Sequence, residues 1–193
     1  VSEGMASQCL IWAMGRFTHA EYEKRQQRAR DQMSVSGLDG LLLTEPSNLF
    51  YFTGYPLSSD RSFARPAVLL LPSDSPAVLV VHQFHFPCPW QGQLKIYDEV
   101  GRLPLSLVVD LVQKRIGHCA KIGAEIGPEQ QLAISPADFD ALRIQLKSVI
   151  FEDASRILWS LRNQKTEAEI SNLREACFYH DLIFEQCFSD VRV

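Results

Sequence analysis

Three runs in the first half of the chain are apolar at nearly every position: LDGLLLT (38–44), PAVLLLP (66–72) and AVLVV (77–81). A strand with one wet face alternates apolar and polar residues, whereas a strand covered on both faces reads as a continuous apolar run. Short runs of this kind therefore demand a sheet with helices on each side. The intervening segments supply those helices. Leu103, Leu107 and Leu111, with Val108, Val112 and Ile116, form a helical stripe ending at Gly117. Ser135-Pro136 places a cap and a first-turn proline ahead of DFDALRIQL. KIGAEIG (121–127) and VIFED (149–153) read as further strands, and KIYDEV (95–100) as a weaker one. Ser73-Asp74-Ser75-Pro76 joins the second and third apolar runs as a hairpin. The expected fold is α/β, a three-layer sandwich with a mixed sheet of about six strands and helices on both faces.

Two capping boxes mark helix starts. Thr18-His-Ala-Glu21 opens a helix running to about Ser36, with Tyr22, Ala29 and Met33 on one face and Gly37 as its stop. Its basic residues, Lys24, Arg25, Arg28 and Arg30, are interleaved with acids and read as a solvated face. Thr166-Glu-Ala-Glu169 opens the second helix, where Ile170, Leu173, Cys177, His180, Phe184 and Cys187 give an apolar seam still running at Val193. That seam, without a stop signal, reads as a helix leading toward a domain beyond this chain. Between the two helices, NLFYFTGY (48–55) has the look of a strand interrupted at Thr53-Gly54, just before a loop carrying Arg61 and Arg65.

A net charge of -4 with scattered Lys and Arg excludes nucleic acid as the main partner. No apolar run approaches the roughly 20 residues of a membrane span, and no basic region precedes the apolar patch near the start, so neither a membrane nor a secretory signal is expected. Five widely spaced cysteines fit reduced thiols in a cytoplasmic protein. His82, His85 and Cys88, with His118-Cys119, have some look of a zinc site, but the second pair is adjacent and cannot easily converge. Packing and hydrogen bonding are the expected roles of these residues, and no metal or catalytic group is assigned within the chain.

Two stretches carry a resemblance to a known family. GLDGLLLTEPSNLFYFTGY (37–55) and DASRILWSLRNQKTEAEISNLREA (153–176), in that order and about 100 residues apart, resemble the amino-terminal domain of the creatinase, prolidase and aminopeptidase P family, over roughly residues 17–190. The resemblance implies the creatinase amino-terminal fold, with its ribonuclease H-like motif. It implies an amino-terminal extension at 1–16, the α/β domain at 17–160, and a linking helix at 161–193 toward a missing catalytic domain of pita-bread fold. That domain would hold two divalent metal ions and perform hydrolysis of an Xaa-Pro bond or a related small amide or amidine. The present chain would be non-catalytic, would form a homodimer, and would shape an active site, that of the partner subunit included. Phe63 and Arg65 match the family's Phe-x-Arg, which holds a substrate carboxylate, with Arg61 a further candidate. A stand-alone, non-enzymatic domain that binds peptides or proteins is the alternative.

Overall fold

A computed structural model describes residues 17–55, 64–85 and 90–190. In chain order these form α1 (His19–Ser36), β1 (Gly40–Leu43), α2 (Pro46–Thr53), β2 (Val68–Pro72) and β3 (Val78–His82). A 3-10 turn (Gln83–His85) follows, then β4 (Gln93–Tyr97), α3 (Leu105–Arg115), β5 (Lys121–Ala124), α4 (Pro136–Gln145), β6 (Ile150–Asp153), α5 (Ser155–Asn163) and α6 (Glu167–Asp190). The strands form one six-stranded mixed sheet in the order β4-β3-β2-β1-β5-β6. β2 is antiparallel to β1 and to β3, and the other neighbouring pairs are parallel, so every strand except β2 runs in one direction.

The continuous apolar runs have the cause expected of them. Successive side chains leave a strand on opposite faces. Leu41 and Leu43 of β1, Leu69 and Leu71 of β2, and Leu79 and Val81 of β3 enter one core with α1, α2 and α5. Leu42, Val68, Leu70, Val78 and Val80 enter a second core with α3 and α4. The three-layer α/β sandwich is thus present, with the hairpin between β2 and β3 paired Val68↔Val80 and Leu70↔Val78.

The aromatic run is a helix, not an interrupted strand. Pro46 presets the first turn, the Glu45 carboxylate accepts from Asn48 N at 3.0 Å, and Gly54 ends the helix at φ +68°. A side chain at Gly54 would also collide with the Tyr22 ring, so α2 can enter the core only because this position carries none. Leu49, Tyr51 and Phe52 are buried by it.

The solvated reading of the basic face of α1 fails at Arg25, which is 1% exposed. Its Nη1 donates to Tyr51 O at 2.9 Å, its Nε faces Glu21 at 3.3 Å and its Nη2 faces Glu169 at 3.5 Å. The guanidinium stacks on Phe17 and Tyr51. Arg25 therefore ties α1 to α2 and to the first turn of α6. Glu21 is diverted by it: Thr18 accepts from Glu21 N as the capping box predicts, but the Glu21 carboxylate bonds Arg25 rather than returning to Thr18. The second box closes both ways, Thr166 N to Glu169 at 2.8 Å and Glu169 N to Thr166 at 3.3 Å.

Candidate functional site

Because five strands run one way, their carboxyl ends gather along one edge, the edge at which open α/β sheets place their ligands. Here Thr44 and Glu45 leave β1, Glu125 leaves β5, Asp153 ends β6, and His82 and Tyr97 end β3 and β4. Arg65 stands beside them, ahead of the one strand that begins at this edge.

Glu125 is the centre of a buried network. One carboxylate oxygen accepts from Thr44 N (2.7 Å), Thr44 Oγ1 (3.0 Å) and Glu45 N (2.9 Å), and the other from Asn48 Nδ2 (2.7 Å). Asn48 Oδ1 in turn accepts from Arg162 Nη1 at 3.0 Å, which brings in the last turn of α5. Thr44 Oγ1 also accepts from Ala133 N. Burial pushes the Glu125 pKa above its ordinary value, against the pull of Asn48, Thr44 and Glu45 as donors. Both carboxylate oxygens are held by protein donors, so this acid is a joint between β1, α2, β5 and α5 and not a proton carrier open to substrate. Asp153 nearby holds Ser155, the first residue of α5, accepting from Ser155 N and Ser155 Oγ, both at 2.7 Å.

The second group on this edge is Arg65. Gly101 N donates to Ala64 O at 2.8 Å and Tyr97 Oη donates to Pro66 O at 2.6 Å, so the backbone is clamped on both sides of the arginine. Burial raises the Tyr97 pKa, which keeps the phenol protonated as that donor. The Arg65 guanidinium lies 5.7 Å from the Phe84 ring centre, its Nε is sealed from solvent without a hydrogen-bond partner, and no carboxylate lies within 4 Å of it among the described residues. A positioned, unneutralised guanidinium at a sheet's ligand edge is suited to an anion brought from elsewhere. Phe63 and Arg61, the other two expected contacts, lie outside the described residues.

The histidine and cysteine set does not converge. Both nitrogens of His82 are used: Nδ1 accepts from Phe84 N at 3.2 Å, which leaves the proton on Nε2, 3.2 Å from Asp98 O. Among the described residues no three His, Cys, Asp or Glu side chains could share a metal ion. Cys119, Cys177 and Cys187 are free and exposed, and Cys88 lies outside the described residues.

From this edge α6 leaves the domain. Its first turn is held by Arg25, but beyond it Phe178, Tyr179, Leu182, Ile183, Phe184 and Phe188 are all exposed. Exposure extends round this part of the helix rather than along one seam, and includes Leu173, Cys177, His180 and Cys187, which the periodicity placed on the apolar seam. No helix among the described residues is long and apolar enough to cross a membrane.

The profile of the creatinase/prolidase N-terminal domain matches residues 25–164. The chain belongs to that family. A hydrolase/peptidase of Sinorhizobium fredii, y4tM, is 25% identical over 83% of this chain and 42% of its own length. Among solved structures, a prolidase from Thermococcus sibiricus superposes with a TM-score of 0.70 at 18% identity, over 88% of this chain and 44% of that one. An Xaa-Pro aminopeptidase from Streptococcus pyogenes superposes with a TM-score of 0.54 at 20% identity, over 75% of this chain and 99% of that one. The chain thus spans under half the length of y4tM and of the Thermococcus prolidase, whereas the Streptococcus chain is spanned almost whole. The stretches 37–55 and 153–176 that carried the resemblance hold Thr44, Glu45, Asn48 and Arg162, the partners of the Glu125 network. Glu125 itself was missed by sequence reasoning, although an acid closing the apolar run IGA was the available signal.

Proposed function

We propose that this chain is the non-catalytic amino-terminal domain of a cytoplasmic, homodimeric, metal-dependent hydrolase of the Xaa-Pro peptidase or creatinase type. The observation that carries the reading is the pairing of a family match with a fold that spans under half of its longer relatives and ends in an apolar helix standing clear of the domain. In this reading the α/β body spans 17–160 and 161–193 is the connection to a catalytic domain; α5 (Ser155–Asn163) crosses that division, and α6 makes up most of the connection.

In this reading the catalytic domain holds two divalent metal ions, which supply the activated water. The part of the present chain is to bind and orient. Arg65, its backbone held from both sides and with no acidic partner among the described residues, presents its guanidinium to the substrate carboxylate, and Phe63 and Arg61 are the further contacts that the family resemblance implies. The Glu125 network fixes α5, and Arg25 fixes the start of α6, so the angle at which α6 departs toward the catalytic domain is set by buried polar contacts.

The test is hydrolysis of Xaa-Pro dipeptides by the full-length protein loaded with divalent metal, beside the 193-residue chain alone. Turnover by the first and none by the second is expected. Equal turnover by both would place catalytic groups in this chain and end the reading. A stand-alone, non-enzymatic domain that binds peptides or proteins is the second reading, for which the exposed apolar side chains of α6 would be the contact surface. Absence of turnover by any metal-loaded full-length form would select it.

A further inference from the structure

The amino ends of β3 and β4 lie some five residues of strand away from Arg65, and an open groove of about 770 Å³ lies there. It runs between the outer side of α1, the β2–β3 turn and the segment leading into β4, and nothing in the peptidase reading uses it. Lys24, Arg30, Ala77, Trp90 and Gly92 line it. The Trp90 indole lies across Gly92, where any side chain would collide with it, and its Nε1 donates to Gln93 O at 3.0 Å. This wall is therefore flat, apolar and pinned.

Arg30 supplies the opposite character. Its Nε donates to Pro72 O at 3.2 Å and its Nη2 to Ser75 O at 3.0 Å, which hold the half-buried guanidinium in place without neutralising it. Burial lowers its pKa from the ordinary value, the mark of a charge removed from water without compensation. Of the acids on the groove, Glu23 is engaged by His19 at 3.3 Å, and Asp74 is beyond 4 Å of both Arg30 and Lys24. Lys24, exposed, has no ion-pair partner among the described residues. A guanidinium fixed by carbonyls loses little freedom when an anion arrives, and a carboxylate is the anion its remaining donors fit. An inorganic ion would leave the indole wall unused.

We propose that this groove binds a small organic carboxylate, its charge on Arg30 and Lys24 and its carbon body against the Trp90 indole. The site is separate from Arg65 and does not depend on the peptidase reading.

The experiment is fluorine NMR of the full-length protein carrying 5-fluorotryptophan, with Trp90→Phe identifying the Trp90 signal. Benzoate is the probe, benzamide its neutral counterpart and inorganic phosphate the bare anion. Benzoate should move the Trp90 signal saturably in the millimolar range expected of so small a ligand, while benzamide and phosphate should not. Arg30→Gln should weaken benzoate by about tenfold, the loss expected of a charge-assisted contact. Lys24→Gln, exposed and outside the turn, should weaken it about threefold for a more solvated charge, and guards against a folding defect in the Arg30 variant. No saturable shift with benzoate, an equal shift with benzamide or phosphate, or unchanged affinity in both variants would overturn the proposal.

Discussion

Replacing Glu125 by glutamine exchanges one oxygen for nitrogen at the centre of the buried network and leaves the volume unchanged. With its oxygen toward β1, the new amide still accepts from Thr44 N, Thr44 Oγ1 and Glu45 N. Its NH₂ then faces the Asn48 NH₂, donor against donor. Asn48 cannot turn over to relieve this, because its Oδ1 holds Arg162. One hydrogen bond is lost and the two N–H groups that face each other are left without an acceptor, Asn48 Nδ2 keeping only Gln130 Oε1 at 3.3 Å, a cost of about 1.5–3 kcal/mol. For a domain of this size that lowers the melting temperature by roughly 3–12 °C. Asn48→Asp alone should cost more, since it sets two carboxylates face to face in a buried site. The two changes together restore complementarity: the carboxylate introduced at position 48 would accept from the amide introduced at position 125 and keep an oxygen for Arg162. Urea unfolding of the four proteins, followed by circular dichroism, gives the coupling directly. The double variant should be more stable than the sum of the single changes by about 1–3 kcal/mol. Additive losses, or a Glu125→Gln variant within about 0.5 kcal/mol of the parent as for an ordinary surface change, would refute the network as a structural joint.

The titration of Glu125 supplies a pH test with a definite sign. Its folded pKa is raised above the ordinary 4.5 by burial, so the folded protein holds its proton to higher pH than the unfolded chain does. The stability it contributes is full below the unfolded value and declines as pH rises through the folded one, so the margin of the parent over Glu125→Gln should narrow with rising pH from about 4.5. A widening margin would mean that the four donors outweigh burial. Arg25→Ala should cost about 3–5 kcal/mol, because Glu21, Glu169 and Tyr51 O lose a buried partner; Arg25→Lys should recover little, lacking the planar fork. Thermal melts of both variants check this. Gly54→Ala should destabilise by at least about 1–2 kcal/mol through its positive φ and the collision with Tyr22, and Tyr22→Phe in the same protein should not rescue it, since the ring and not only the hydroxyl is struck.

What the sequence revealed followed how many readings each residue pattern allows. The runs LLL, AVLLL and AVLVV admit one reading, a strand covered on both faces, and all three are central strands. The stretch LFYF admits two, since apolar residues at every position carry no period; only Pro46 before it and Gly54 after it decide for a helix. Arg25 shares the four-residue spacing of Ala29 and Met33, so its burial was written in the helical stripe, but its charge argued for solvent. Its compensation comes from Tyr51 O and Glu169, far along the chain, and local pattern cannot show that. Glu125 was hidden for the same reason: its donors are brought to it by the parallel pairing of β1 with β5. Arg65 was expected from the family resemblance alone, and the clamps on its backbone, from Tyr97 and Gly101, appear only in the fold.

The central claim is that Arg65 serves a substrate carboxylate in an enzyme whose chemistry lies in another domain. It is tested most directly by steady-state kinetics of the full-length protein and its Arg65→Gln variant, on an Xaa-Pro dipeptide and on the same dipeptide with its carboxylate amidated. The account predicts that Arg65→Gln lowers kcat/KM for the free acid by about 10–100-fold, as loss of a charge-assisted contact does, and leaves the amide nearly unchanged. Equal losses on both substrates, or no loss on either, would contradict it.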